Sequence, residues 1–263
     1  MTGLAVLLYG MAVADLVRGT PLARSSRVLG PALAGAGAAV TVALLAGLTS
    51  GHDAVLTALA VLTVAAWVWL ADRALRRNRV AGWALSVPLL GGLLLVALAG
   101  WSSPVAGPYA DWLAWSGIPL LGGTDPQRAL LVPALLLVQL STGNVVVRLL
   151  LTHVGAISTH GPQPSDQLRG GRVLGPMERV FILGLGLAGE VTAASLVIAA
   201  KGLIRWPELQ SARRAQRPRP LLPHGAEGER RAPTIDELTE YFLVGSFISW
   251  LVALSSLALT ALV

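Results

Sequence analysis

Long apolar runs, separated by short basic or glycine-rich stretches, extend from the first residues of the chain to the last. Seven runs stand out, at 2–17, 28–48, 54–71, 80–100, 128–153, 178–204 and 238–262. None alternates apolar with polar positions as a barrel strand would. In a bilayer core every backbone polar group must be satisfied within the structure, so runs of this kind predict helices. The run at 2–17 is short for a crossing, which takes ~20 apolar residues. Pro88 and Pro133 fall inside the fourth and fifth runs. Each removes a backbone donor and is expected to kink its helix.

The polar positions between runs set an orientation. Arg18, Arg24 and Arg27 follow the first run, and Arg73, Arg76, Arg77 and Arg79 follow the third. The loops at 49–53 and 101–127 hold no lysine or arginine. The positive-inside rule assigns the first pair of loops to the cytoplasm and the second pair to the outside. Trp101, Trp112 and Trp115 in the longer outer loop suit an interfacial belt, and 109–115 reads as a short surface helix. Strict alternation would then put 207–237 outside, yet that segment carries Arg213, Arg214, Arg217, Arg219, Arg230 and Arg231. The preferred resolution is a cytoplasmic linker with one apolar segment that does not cross. That segment is either the short first run or the sixth, broken around Gly184, Gly186 and Gly189.

Composition agrees with a membrane protein. The chain is 54% hydrophobic and only 13% charged, where a soluble domain carries roughly a quarter charged residues. Its mean hydropathy is +0.66. The fold class expected is all-α: a polytopic integral membrane helical bundle with six or seven membrane helices. It forms a single domain over 1–263, with a flexible basic linker at 207–237 that has too little to bury. No signal peptide with a basic start and a small-residue cleavage site opens the chain. With no cysteine, disulfides, thiolate metal sites and a cysteine nucleophile are excluded. The wealth of Ala, Leu, Val, Gly and Arg, with Lys201 the single lysine, suggests a GC-rich bacterial genome and a bacterial cell membrane. The net charge of +6 points to anionic lipid headgroups as partners. No aromatic residues interleave the linker arginines, so nucleic acid is not an expected partner.

Candidate chemistry lies in the last three runs. The sixth carries Glu190 in its middle, with Arg179 eleven residues before and Lys201 eleven after. Eleven residues are almost three helical turns, so an unbroken helix would align the three on one face. An ionisable residue within a membrane helix is a candidate functional site by default. In the fifth run Gln139, Ser141, Thr142, Asn144 and Arg148 interrupt apolar sequence. Asn144 and Arg148 lie one turn apart, and Arg148 is the obvious ion-pair partner for Glu190. Before the sixth run, Gly170 and Gly171 allow a tight turn, Pro176 and Glu178 suit a first helical turn, and Arg172 and Arg179 add cationic donors. Such a helix start can hold a phosphate or carboxylate. Lys201 and Arg205 sit a turn apart at the other end and can snorkel to headgroups. Thr234 and Glu237 form a capping box for the seventh run, followed by Gly245, Ser246 and Ser249 as a small-residue face.

Three of these motifs resemble a family of uncharacterised bacterial membrane proteins, the domain-of-unknown-function 3307 family. The first is Gly171, Arg172, Gly175, Glu178 and Arg179; the second Ala200, Lys201 and Arg205; the third Glu240, Tyr241, Phe242 and Gly245. The resemblance spans about 170–249, with Gly202 and Ser246 where the family has Ser and Thr. The family's N-terminal His…Asp-Phe…Gln pattern is absent, and Asp15 is its nearest counterpart. The resemblance implies a shared C-terminal helix pair and no particular activity.

The function expected is binding or transport of an anionic solute or lipid headgroup in a polar cavity between the last three helices. Glu190, Arg148, Asn144, Arg172, Arg179, Lys201 and Arg205 would bind it. The alternative is a non-catalytic accessory or scaffold subunit of a membrane complex, with a membrane protein partner. A third reading, an enzyme acting on a lipid-linked phosphate, needs a nucleophile, base or metal site. His52, His153, His160 and His224 form no ligand spacing, and neither a cofactor nor a metal is expected.

Overall fold

The computed structural model describes residues 1–20, 26–77, 81–117, 123–155, 171–200, 203 and 235–262. Among these the chain is helical, with no strand. The helices are α1 (Thr2–Arg18), α2 (Leu29–Leu45), α3 (Gly51–Arg77), α4 (Ala81–Ala97), α5 (Gly107–Trp115), α6 (Pro126–Leu140) and α7 (Thr142–Val154). They continue with α8 (Gly171–Leu187), α9 (Val191–Ala200) and α10 (Ile235–Thr260).

The short first run becomes the central helix. α1 packs against α2, α3, α4, α6 and α7, and Leu4, Leu7, Met11 and Ala14 join the main core with Leu56, Val64, Trp67, Leu95, Leu131 and Leu135. Small residues let the backbones approach. A Cβ on Gly35 of α2 would stand 2.6 Å from the Gly10 carbonyl oxygen and 2.8 Å from Ala14 Cβ and Val64 Cγ1. Van der Waals contact of this kind drives helix association where lipid tails remove the hydrophobic incentive.

At the opposite end of α1 from Arg18 the loops are tied down. Ser50 and Asp53 cap α3 reciprocally: Asp53 N–H donates to Ser50 Oγ at 3.2 Å, and Ser50 N–H to Asp53 Oδ2 at 3.2 Å. The other Asp53 oxygen accepts from Ser103 N–H at 2.9 Å, and Ala106 N–H donates to Ala46 O at 3.0 Å. Gly47, with φ of 73°, lies where a Cβ would strike Ala106 at 2.9 Å. This strap leads into the surface helix α5, leaving Trp101, Trp112 and Trp115 exposed.

Among the described residues, fewer helices are long and apolar enough to cross a membrane than expected. Gly51–Arg76 and Leu243–Thr260 are long and apolar enough to cross a membrane, and the bent pair α6–α7 makes a third if counted as one span. Six or seven were expected. The difference is one of length: α2 and α4 have 17 residues each, about 25 Å at 1.5 Å per residue, against a hydrocarbon core of about 30 Å. The sixth run is split, α8 ending before Gly189 at φ 79°. α4 continues through Pro88 and α6 through Pro133. The 48° bend comes at Ser141, between Leu140 and Thr142.

Contacts along the last helices fix their directions. Arg179 of α8 meets Ser249 of α10, and Gly186 faces Leu257. The residue numbers rise together, so α8 and α10 run parallel. On α7, Gly143 faces Arg179 while Leu151 faces Gly245, so α7 runs antiparallel to both. The bundle end that receives the C-terminus of α7 therefore also holds the starts of α8 and α10.

Candidate functional site

Arg179 lies at the break between α6 and α7 and is 2% exposed. Its Nε and Nη2 both donate to the Gln139 carbonyl, at 3.1 and 2.8 Å. Nη2 also donates to Asn144 Oδ1 at 2.6 Å, and Nη1 to Ser249 Oγ at 3.0 Å. One guanidinium thus joins α6, α7, α8 and α10.

The sequence around Ser141 makes this joint possible. Ser141 Oγ donates back to Leu137 O at 2.9 Å, a bond that competes with regular helix. Asn144 N–H turns to Ser141 O at 3.0 Å. The Gln139 carbonyl, which an unbroken helix would pair with the Gly143 N–H, is taken by Arg179 instead. It belongs to the C-terminal end of α6, where the helix dipole favours a cation. Position 143 must be glycine for the fork to lie there, because a Cβ would stand 2.8 Å from Arg179 Nε and 3.1 Å from Cζ. Gln139 is itself buried; its Nε2 donates to Ser256 Oγ at 2.6 Å, and its Oε1 has no hydrogen-bond partner. Glu178, also buried, adds its charge beside the guanidinium.

The expected site residues divide into three groups. Asn144 and Arg179 come together. Arg148 and Glu190 do not: both are exposed, and no ion pair joins them. The α8 helix stops at Leu187, and Glu190 follows the left-handed Gly189 at the entrance to α9, its N–H bonded to Leu185 O at 2.8 Å. The expectation that Arg179 and Glu190 share one face fails because Gly189 interrupts the helical period on which it rested. Arg172 belongs to α8, while Lys201 and Arg205 lie outside the described residues, as does Thr234 of the capping box. The small-residue face on α10 is used: Gly245 contacts Leu151, Ser246 is buried and Ser249 accepts from Arg179.

A second polar cluster lies on the α1 side of the same break. Asp15 has a fully buried side chain, 3.5 Å from Arg18 Nη2. Trp67 Nε1 of α3 donates to Asp15 Oδ2 at 3.0 Å. Thr142, the first residue of α7, flanks the carboxyl, outside hydrogen-bond geometry. Arg18 also donates to Val68 O at 3.3 Å. The signal for this cluster was present in the sequence: Asp15 is the one acidic residue in the first run. Among the described residues no group of three His, Cys, Asp or Glu is arranged to hold a metal.

No family model, curated protein or solved structure matches the chain.

Proposed function

We propose that this chain is a multi-pass protein of a bacterial cell membrane that binds or transports an anionic solute or lipid headgroup at the α6–α7 break. The observation that carries the reading is a buried guanidinium held at a discontinuity in a membrane-type helix. Broken helices expose helix ends and backbone groups at depth, and transporters build binding sites from them. The first turn of α7, a positive helix end, lies beside Arg179 at the break. Gln139, Asn144 and Ser249, which accept from Arg179, are all neutral. A phosphate or carboxylate is a stronger acceptor for the fork than an amide or hydroxyl, so it would compete for the two side-chain positions. The shared course of α8 and α10 agrees with a cytoplasmic start for α10, and so with the six linker arginines beside it. The C-terminal relationship to the domain-of-unknown-function 3307 family is part of the same proposal, since Arg179 belongs to the motif that carries it.

The test is thermal stability of the full chain in nanodiscs, with phosphatidylglycerol or inorganic phosphate added to a zwitterionic background. Wild-type protein should be stabilised. Arg179→Gln should lose the response, and Asn144→Asp should lose it while keeping the fork bonded, because its carboxylate occupies the anion position. An equal response in all three proteins would overturn the reading. A response to phosphatidylglycerol alone identifies a headgroup, and a response to phosphate a soluble anion.

A second reading, a non-catalytic accessory subunit, draws support from Arg148 and Glu190. Both are exposed, Arg148 on α7 and Glu190 between the apolar helices α8 and α9, and an ionisable side chain facing lipid is expensive. A partner helix would relieve both. Co-purification of a second protein that is lost in Arg148→Leu would favour it.

A further inference from the structure

The Asp15 cluster is not used by the anion site and does not resemble a finished ion pair. A carboxylate offers about four acceptor positions. Asp15 Oδ2 receives one hydrogen bond, from Trp67, while Oδ1 has only the 3.5 Å approach of Arg18 and no hydrogen bond. Arg18 Nε and Nη1 and Thr142 Oγ1 are also buried without partners. Buried polar groups are normally satisfied, and a cluster of unsatisfied ones calls for a specific explanation. An under-compensated buried charge tends to neutralise.

We infer that Asp15 is a proton-binding site whose occupancy is read by Thr142 at the α6–α7 break. The step is a simple protonation: a proton from water forms an O–H bond at Asp15 Oδ1, and the carboxylate becomes a neutral carboxylic acid. No electrons move. Arg18 stays charged and loses its ionic partner. The new O–H can donate to Thr142 Oγ1, which flanks the carboxyl and opens α7.

The charged surroundings are simple. On α1 the facing charge is Arg18; α3 contributes the neutral Trp67 and α7 the neutral Thr142. Asp72 and Arg76 of α3 pair with each other at 2.8 Å on the surface, and Arg148 of α7 is exposed. α2 and α4 carry no charged residue, and α6 carries only Arg128, two residues past its start. The side chain of Arg18 is 17% exposed, which makes the Arg18 end of α1 the entry for the proton. Coupling of this proton to solute binding rests on the function proposed above; the protonation itself does not.

The test is infrared difference spectroscopy of the full chain in lipid, between alkaline and acidic pH and with no solute. Wild-type protein should gain the carbonyl band of a buried carboxylic acid. Asp15→Asn should lack that band, and Asp125→Asn, altered in the helix-capping residue of α6, should retain it. Thr142→Val should shift its frequency by removing the hydrogen bond. In Arg18→Gln the band should appear at higher pH, by about 1–3 pH units, because a nearby cation favours the carboxylate. This variant decides the matter if Asp15→Asn does not insert. A band that survives Asp15→Asn, or a midpoint unmoved in Arg18→Gln, overturns the site. A band indifferent to Thr142→Val overturns the link to the break. Loss of anion stabilisation in the nanodisc experiment leaves all these bands in place, so the two proposals fail separately.

Discussion

Two joints hold this bundle together by opposite means. Where α1, α2 and α3 meet, the chain removes side chains: Gly10, Gly35 and Ala39 bring backbones into direct contact. Where α6, α7, α8 and α10 meet, it adds the largest polar side chain available, and Arg179 bridges all four. The first joint relies on shape and tolerates no added volume. The second relies on donors and acceptors, and leaves orphaned acceptors if its centre is removed. Only the second includes a helix break, because a bridging guanidinium can take a carbonyl that the helix ladder releases.

The largest effect should come from the polar joint. Arg179→Ala leaves the Gln139 carbonyl and Asn144 Oδ1 buried without their donor and opens a cavity. Unsatisfied buried groups cost about 1–3 kcal/mol each, so a loss of about 3–5 kcal/mol is expected, read as unfolding in mixed micelles. Arg179→Lys should recover only part of it, since an ammonium cannot reproduce the planar fork. Full recovery with lysine would mean that charge alone, not the forked geometry, holds the four helices.

The steric joint should follow. Gly35→Ala puts a methyl 2.6 Å from a backbone oxygen, which cannot swing aside as a side-chain end would. Overpacking of this kind costs about 1–3 kcal/mol. Gly37, two residues on, faces open space, and Gly37→Ala should stay within about 0.5 kcal/mol of wild type or gain slightly from helix propensity. Equal melting temperatures for the two variants would show that α1 and α2 separate readily enough to admit a methyl group.

The two joints also differ in how far the sequence revealed them. Helix positions were legible among the described residues, because apolar length alone implies a helix in lipid; α1, α2 and α4 begin and end within about three residues of their runs, and α3 runs six residues past its own. The glycines around 184–189 did mark the break in the sixth run, but nothing marked the one between α6 and α7. Pro133 was the visible candidate, yet α6 tolerates it, whereas Ser141 breaks the helix through a hydroxyl back-bond and a guanidinium donated from 40 residues away. Nothing local to Ser141 encodes that partner. Asn144 and Arg179 were both legible as buried polar candidates, but their pairing required knowing that α8 crosses α7 at Gly143. Asp15 was visible as a lone acid in an apolar run, and only the central position of α1 makes it deeply buried.

The smallest effects should come from the residues that lie outside both joints, and they sharpen the contrast most. Periodicity carried unbroken through the sixth run would place Glu190 inside the bundle opposite Arg148. The left-handed Gly189 prevents it, and both side chains are exposed. Glu190→Gln and Arg148→Gln should therefore each change the stability of the isolated chain by no more than about 0.5 kcal/mol. The double variant should be additive within about 0.3–0.5 kcal/mol, as for residues that share no partner. A coupling near 1 kcal/mol in a double-mutant cycle would mean that the two charges meet and that α8 and α9 form one continuous helix. Gly189→Ala separates these cases further. A left-handed residue replaced by alanine is strained, so the variant should be destabilised by about 1 kcal/mol if the break exists, and stabilised by helix propensity if it does not.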